Sequence, residues 1–119
     1  MEKVQGIGGF FYRAKDPAKL SDWYAAHLGI DLSSGPWRQE AGACIFVPFP
    51  DRSDYFPTDR RWMINFRVDD LDRMIAQLEA EGIEVTTDPG WDSEVGRFAR
   101  IHDPEGNPIE LWEPSDLAR

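Results

Sequence analysis

The sequence predicts a single α+β domain built from two similar halves, and three observations support this. The chain has 119 residues, enough for one domain with a modest core. Strand-like segments and two segments of helical periodicity follow each other in the order strand, helix, strands, and this order occurs twice. Matching residues in the two halves recur 53 or 54 positions apart.

The first half opens with an aromatic-rich segment at residues 7–14, which is predicted to form a strand. A helix is expected to begin after Asp16, a favourable N-cap, with Pro17 at its first position, and to end at Gly29. The remaining strands of this half are predicted at residues 30–33, 37–40 and 43–49.

The second half begins with a predicted strand at residues 62–68 and a helix that is capped by Asp69 and Asp70 and ended by Gly82. Residues 103–107 are rich in turn-forming types and predict a tight turn. The other strands of this half are predicted at residues 83–87, 97–102 and 109–113.

The repeat defines the expected domain organisation. Module one is predicted at about residues 4–52, a polar linker at about 50–61 and module two at about 62–114, all within one domain of residues 1–119. Each half alone would have too little core, so the two are expected to close one core together. The matched pairs include Asp16 with Asp69, Gly29 with Gly82, Ile30 with Ile83 and Trp37 with Trp91.

Composition excludes several classes of function. The formal net charge is −9, and no block of Lys or Arg is present, which argues against a nucleic-acid or anionic membrane partner. The apolar run at residues 43–47 is too short to span a bilayer, and the first residues lack the apolar region of a signal peptide. The single cysteine, Cys44, suits a reducing compartment and is expected to be buried, so a cytoplasmic location is predicted.

Four segments carry a family resemblance. They are RAKDP at residues 13–17, WYAAHLG at 23–29, INFRVDD at 64–70 and DPEGNPIEL at 103–111. With them the chain resembles, over nearly its whole length, the glyoxalase / bleomycin-resistance / extradiol-dioxygenase superfamily, also called the vicinal-oxygen-chelate superfamily. The ending at residues 103–111 is the most specific of the four.

The resemblance implies two βαβββ modules whose curved mixed sheet encloses a ligand cavity, often completed across a homodimer. The partners expected on this basis are a small-molecule ligand and a second copy of the chain. Fold resemblance identifies the reaction much less well than the architecture.

Metal-dependent members of the superfamily place one His, Gln or Glu ligand on each of four strands. The corresponding positions here are Gly9, Phe46, Met63 and Glu110, and of these only Glu110 can bind a hard divalent ion. No metal cofactor is therefore predicted. His102, Glu40 and Glu94 are possible substitute donors, although their spacing does not require a metal.

Strand alternation identifies candidate cavity residues, because every second side chain of a strand points to the same face. With Gly9 and Glu110 facing inward, the set that follows is Phe11, Arg13, Phe46, Met63, Asn65, Arg67, Phe98, Arg100 and Trp112. Three arginines against one glutamate would favour an anionic ligand. Alternatively, Arg13 and Arg67 lie at strand ends and reach solvent, and Asn65 satisfies a backbone group rather than a ligand carbonyl.

Glu110 leads to two function hypotheses. In the first, the chain is a metal-independent lyase or isomerase in which Glu110 is the general base and Arg67, Arg100 or Asn65 stabilises the oxyanion. In the second, the chain binds a drug or metabolite without catalysis, and Glu110 is a structural carboxylate.

Aromatic residues form 13% of the chain, which suits either a cavity wall or a core. Residues 50–61 would serve as a lid or as a strap between the modules.

Overall fold

The computed structural model describes residues 1–119. Two helices and three strands make up its main elements, with one short 3₁₀ turn at Pro89–Trp91. The helices are α1, Pro17–Leu28, and α2, Leu71–Ala80; the strands are β1, Ile64–Arg67, β2, Gly96–His102, and β3, Pro108–Pro114.

Both helices begin and end at the signals that the sequence carries. The Asp16 side chain accepts a hydrogen bond from the Lys19 backbone N–H at 3.1 Å, and α1 ends at Gly29, whose φ of 71° is the left-handed conformation that glycine adopts most easily. Asp70 caps α2 in the same way, accepting from the Arg73 N–H at 3.0 Å. The predicted helices are confirmed.

The three strands form one sheet in the order β1–β3–β2. β1 runs parallel to β3, and β2 runs antiparallel to it. In this register the central residue Glu110 lies opposite Asn65 on one side and Arg100 on the other. The second half therefore forms the expected strand, helix and hairpin.

The hydrophobic core lies between the helices and one face of this sheet. Side chains of both helices pack on the alternate residues of β2 and β3 that face them, and these residues are almost fully buried. The core consists of Leu20, Tyr24, Leu71, Leu78, Ala99, Ile101, Ile109 and Leu111. The other face of the sheet carries no helix, and it is the face on which Glu110 lies.

The turn between β2 and β3 is held by Asp103, which is only 4% exposed. One of its carboxylate oxygens accepts from the backbone N–H groups of Glu105, at 2.9 Å, and Asn107, at 3.0 Å. The other accepts from the Asn107 side-chain amide at 2.7 Å and from the Tyr24 hydroxyl at 2.8 Å. The turn is thereby joined to α1, which comes from the first half of the chain.

Several predicted strands do not form. Residues 7–14, 30–33, 37–40 and 43–49 take part in no strand ladder, and residues 83–87 make a single bridge, between Thr86 and Arg100. Alternation and β-propensity indicate which face a strand would present, but a strand exists only where a neighbour accepts and donates its backbone hydrogen bonds. The first-half segments have no such neighbour within the chain.

The first half accordingly exposes large apolar side chains. Phe11 is 93% exposed and Phe46 is 88% exposed. Cys44 is also exposed, so the prediction of a buried thiol was wrong. Its segment is not packed into a sheet, and nothing therefore covers the thiol. Neither helix is long and apolar enough to cross a membrane.

The hydrogen bond from Tyr24 to Asp103 gives a stability prediction. Burial and the bond to Asp103 raise the pKa of the Tyr24 hydroxyl well above its usual value. Because the folded chain holds this proton more tightly than the unfolded chain, stability is full below about pH 10 and is lost as the pH rises above it. Tyr24→Phe should lower the free energy of unfolding at pH 7 by about 2 kcal/mol and flatten the decline above pH 10.

Urea unfolding of both proteins between pH 7 and pH 11 measures this effect. Tyr12→Phe is the matched control, because the Tyr12 side chain is more exposed and should cost less. An unchanged unfolding free energy for Tyr24→Phe at pH 7 would contradict the role given to the Asp103 turn.

Candidate functional site

A row of three polar side chains crosses the face of the sheet that carries no helix. Asn65 of β1, Glu110 of β3 and Arg100 of β2 are direct neighbours in the strand register. Because directly opposite residues of adjacent strands point to the same face, all three side chains lie on the side away from the core.

Glu110 is the centre of this row and is 8% exposed. One of its oxygens accepts a hydrogen bond from the Asn65 amide at 2.7 Å, and the other accepts from the Tyr55 hydroxyl. A buried carboxylate is costly unless its oxygens are hydrogen-bonded. Both oxygens of Glu110 therefore have a donor.

Arg100 lies beside Glu110 and is 7% exposed. Its Nη2 donates to the Tyr55 backbone carbonyl at 2.8 Å. Its guanidinium carbon lies 5.0 Å from the centre of the Tyr55 ring and 5.5 Å from that of the Trp91 ring, close enough for cation–π attraction. The Nε of Arg100 is buried and has no hydrogen-bond partner.

Tyr55 comes from the segment of residues 50–61, which we call the strap because it crosses the face of the sheet. The strap contains no helix or strand. Its later part is fixed by Arg60, which donates to the Glu105 carbonyl at 3.0 Å and to the Asn107 side-chain oxygen at 3.3 Å. Burial, followed by the hydrogen bond to Glu110, raises the pKa of the Tyr55 hydroxyl far above its usual value, so the hydroxyl stays protonated and donates.

A broad, open cavity of about 2020 Å³ lies next to this row. Its wall on the sheet side includes Trp112, which stacks on Phe98 with ring centroids 6.1 Å apart and planes inclined by 3°. The indole N–H of Trp112 donates to the Val95 carbonyl at 3.0 Å, which fixes the ring. Aromatic side chains of the strap and of the turn at Trp91 continue the wall. The cavity thus combines aromatic surfaces with a few oriented polar groups, as small-molecule sites do.

The predicted site residues divide into two groups. Those that line the cavity are Phe11, Phe46, Met63, Asn65, Arg67, Phe98, Glu110 and Trp112. Arg100 lies on the expected face but is covered by Tyr55 and Trp91 rather than open to the cavity. Arg13 is exposed and does not line the cavity, because the segment around it joins no sheet and alternation does not fix its direction. Arg67 turns to the first half, where it donates to the Glu40 carbonyl at 2.8 Å.

Tyr55 is the residue of the site that the sequence did not indicate. It lies in a polar, proline-containing segment that is predicted as a lid or a strap, and no residue of that segment is among the predicted site residues. Only the tertiary path of the strap brings its ring over Glu110 and Arg100, and no local signal encodes that path. Trp91, by contrast, follows a proline–glycine turn, a position suited to the mouth of a cavity.

The residues at the implied metal positions do not fit a metal ion. Gly9, Phe46 and Met63 offer no donor for a hard cation, and the structure brings no three His, Cys, Asp or Glu side chains together. Glu110, the one suitable ligand, is already engaged by Asn65 and Tyr55.

Neither histidine belongs to a group of three metal-ligating side chains. His27 pairs with Glu81 at the outer ends of the two helices. Burial, followed by the nearby charge of Arg100, lowers the pKa of His102.

The sequence pattern of the family described as "Glyoxalase-like domain" matches residues 9–112. The chain belongs to this family. Among curated proteins, a 76-residue stretch is 33% identical to the "Putative glyoxylase CFP32" of Mycobacterium bovis and of Mycobacterium tuberculosis. The match covers 64% of this chain and 27% of those proteins, so this glyoxalase-like domain spans about a quarter of their length.

Solved structures show the same fold. TnmS3, described as an antibiotic binding protein from Streptomyces sp. CB03234, matches with a TM-score of 0.65 and 27% identity, over 97% of this chain and 100% of that chain. A glyoxalase/bleomycin resistance protein from Streptomyces sp. CB03234 matches with a TM-score of 0.51 and 28% identity, over 83% of this chain and 92% of that one. The glyoxalase-like domain thus has the fold of the glyoxalase/bleomycin-resistance proteins, here with a curved sheet that does not close.

Elemental analysis tests the metal prediction. We expect the protein, purified without chelators from medium supplemented with manganese, iron, nickel and zinc, to contain none of them in stoichiometric amount, because only one donor stands at the four implied positions. Glu110→Ala should then leave the residual metal content unchanged. A stoichiometric ion that is lost in Glu110→Ala would contradict this interpretation.

Proposed function

We propose that this glyoxalase-like domain binds a small aromatic molecule in the cavity and does not convert it chemically. The observation that carries the proposal is the combination of an aromatic wall, formed by Trp112, Phe98 and Trp91, with the polar row around Glu110. Aromatic walls supply most of the binding energy of such a site, and a few fixed polar groups set the orientation of the ligand.

The likeness to TnmS3 supports this proposal. That protein is described as an antibiotic binding protein, and the match covers nearly the whole of both chains. The description of TnmS3 as a protein that binds its small molecule agrees with a cavity rich in aromatic surface.

The contacts of Glu110 favour binding over catalysis. A general base must accept a proton from the substrate, so it needs an oxygen that can approach the substrate directly. In the free chain each oxygen of Glu110 accepts a hydrogen bond, from Asn65 or from Tyr55, so a substrate would reach Glu110 only after Tyr55 moves aside. The role of Glu110 as the base of a lyase or isomerase stays a prediction from the resemblance. We propose binding without a metal cofactor, because it is the function that the geometry supports better.

The proposed location is the cytoplasm. The single cysteine is free and exposed, and an exposed thiol persists best in a reducing compartment. The formal charge of −9 makes nucleic acid an unfavourable partner, so a small molecule and a second copy of the chain are the partners that we propose.

Tryptophan fluorescence tests the binding function. Four of the five tryptophans line the cavity, and Trp23 of α1 does not. A panel of planar aromatic drugs, neutral and cationic, should include members that quench the fluorescence saturably. Trp91→Phe should reduce the quenching and weaken binding about fivefold, because Trp91 lines the cavity, is only partly buried, and would lose part of its stacking surface.

Trp23→Phe is the matched control, since it removes one tryptophan outside the cavity and should leave the dissociation constant unchanged. The absence of saturable quenching across the whole panel, or equal loss of affinity in both variants, would count against the proposal.

We also propose that the domain is a homodimer. The first half has extended segments without strand partners, and it exposes Phe11, Phe46 and the neighbouring apolar residues of its last segment. Contiguous exposed apolar surface and unpaired backbone mark a surface that another chain covers. A second copy is the occupant proposed, because it offers the same unpaired segments in return.

Sedimentation velocity tests the dimer. The wild-type chain should sediment as a dimer, and Phe46→Glu should shift it to the monomer, because a charge buried in an apolar interface is costly. Leu117→Glu is the matched control: Leu117 is also exposed but lies at the other end of the chain, and its replacement should leave the dimer intact. A wild-type chain that sediments as a monomer would rule the dimer out.

A further inference from the structure

One side chain of the strap occupies the polar end of the cavity. The Tyr55 ring lies next to Phe49, with ring centroids 5.5 Å apart, and next to Trp91, with centroids 5.9 Å apart. Arg100 lies over its face, and its hydroxyl donates to Glu110. Aromatic neighbours, a cation over the ring and a buried acceptor at the hydroxyl are the surroundings by which a protein would recognise a phenol.

We infer that Tyr55 is an internal substitute for the ligand, and that the molecule bound by this domain carries a hydroxylated aromatic ring that displaces Tyr55 and donates its hydroxyl to Glu110. The inference rests on the proposed binding function and names the chemical class of its ligand. It assigns Glu110 as the acceptor of a ligand hydroxyl, with Asn65 holding the carboxylate in place through its other oxygen.

Arg100 shows that Tyr55 fills this position incompletely. The Nε–H and one Nη2–H of a guanidinium point in the same direction and can bind two acceptors together. In Arg100 the Nη2 is bound to the Tyr55 carbonyl, whereas the Nε is buried without a partner. A buried donor without a partner is unfavourable, so a ligand with an acceptor oxygen near its ring would satisfy Arg100 better than Tyr55 does.

The position of Tyr55 in the chain allows its side chain to withdraw while the strap stays attached to the sheet. The strap has no regular secondary structure, and Tyr55 is only partly buried. Its backbone N–H bonds to the Ser53 hydroxyl, within the strap, at 3.2 Å. The strap is held at the Tyr55 carbonyl by Arg100 and at the β2–β3 turn by Arg60, and both contacts can persist when only the Tyr55 side chain withdraws.

The variant Tyr55→Ala tests the inference with p-cresol, which has the structure of a tyrosine side chain, and with toluene, which lacks the hydroxyl. By titration calorimetry, p-cresol should bind Tyr55→Ala at least tenfold more tightly than it binds the wild-type chain, in which Tyr55 competes. It should also bind the variant about tenfold more tightly than toluene does, because one hydrogen bond to a buried acceptor changes the dissociation constant by about that factor. Equal affinity in either comparison would overturn the inference.

Phe49→Ala is the matched control. It also removes an aromatic ring from this part of the strap, but it leaves Tyr55 bonded to Glu110. The variant should therefore bind p-cresol and toluene with similar affinity. A preference for p-cresol as large as that of Tyr55→Ala would show that Glu110 is not its source and would overturn the inference.

A second measurement does not depend on the folding of a variant. The wild-type chain contains three tyrosines, which can be replaced by 3-fluorotyrosine and observed by fluorine NMR, with the Tyr55 signal assigned from Tyr55→Phe. Saturating p-cresol should move the Tyr55 signal to the position of a solvent-exposed fluorotyrosine. Binding of p-cresol with an unmoved Tyr55 signal would overturn the displacement.

The two proposals fail in different ways. If the aromatic drugs quench the cavity tryptophans but p-cresol neither prefers Tyr55→Ala nor moves the Tyr55 signal, the binding function stands and the inference of a phenolic ligand is wrong. If neither the drugs nor p-cresol bind any form of the protein, both proposals are wrong.

Discussion

The hydrogen bonds of Asp103 are the constraint on which the site depends. With both carboxylate oxygens engaged, Asp103 closes the turn between β2 and β3 and thereby sets the register of the two strands. That register places Arg100 directly opposite Glu110. A shift of one residue between the two strands would invert one of them and turn either Arg100 or Glu110 to the core face, where the helices leave no room for charge. The same carboxylate also holds α1 through Tyr24, so one buried group connects both halves of the chain to the geometry of the site.

The two faces of the sheet have different roles: one packs against the helices, and the other, on which Glu110 lies, faces the cavity. The neighbours of Glu110 in β3, Ile109 and Leu111, are fully buried under the helices, whereas Glu110 and Trp112 point to the cavity. A carboxylate on this face must find donors, and the chain provides them from a parallel strand, through Asn65, and from the strap, through Tyr55. The donor from the strand is fixed by the sheet. The donor from the strap depends on the path of an irregular segment, and it is the donor that we propose a ligand to replace.

The sequence predicted the parts of this molecule that are determined locally or by one strand's alternation. The helix ends were predicted because their signals are local: the side chains of Asp16 and Asp70 cap the first turns, and Gly29 adopts the left-handed conformation that ends α1. The placement of Asn65 and Glu110 on one face follows from alternation, because β1 and β3 pair within the chain. The strands expected at residues 7–14 and 43–49 required partners that the chain does not supply, and local pattern carries no information about such partners. The position of Tyr55 depends on the path of an irregular segment, which has no period to detect.

The openness of the cavity and the exposed surface of the first half have a common physical origin. Phe46 and Val47 line the cavity, yet both belong to a segment that has no strand partner and little buried surface. Such a segment holds its side chains weakly, because few contacts oppose the entropy of the chain. In the proposed dimer, a partner that orders this segment would also order one wall of the cavity. Ligand binding and association would then stabilise each other by mass action, and the affinity of the domain for its ligand would rise with protein concentration.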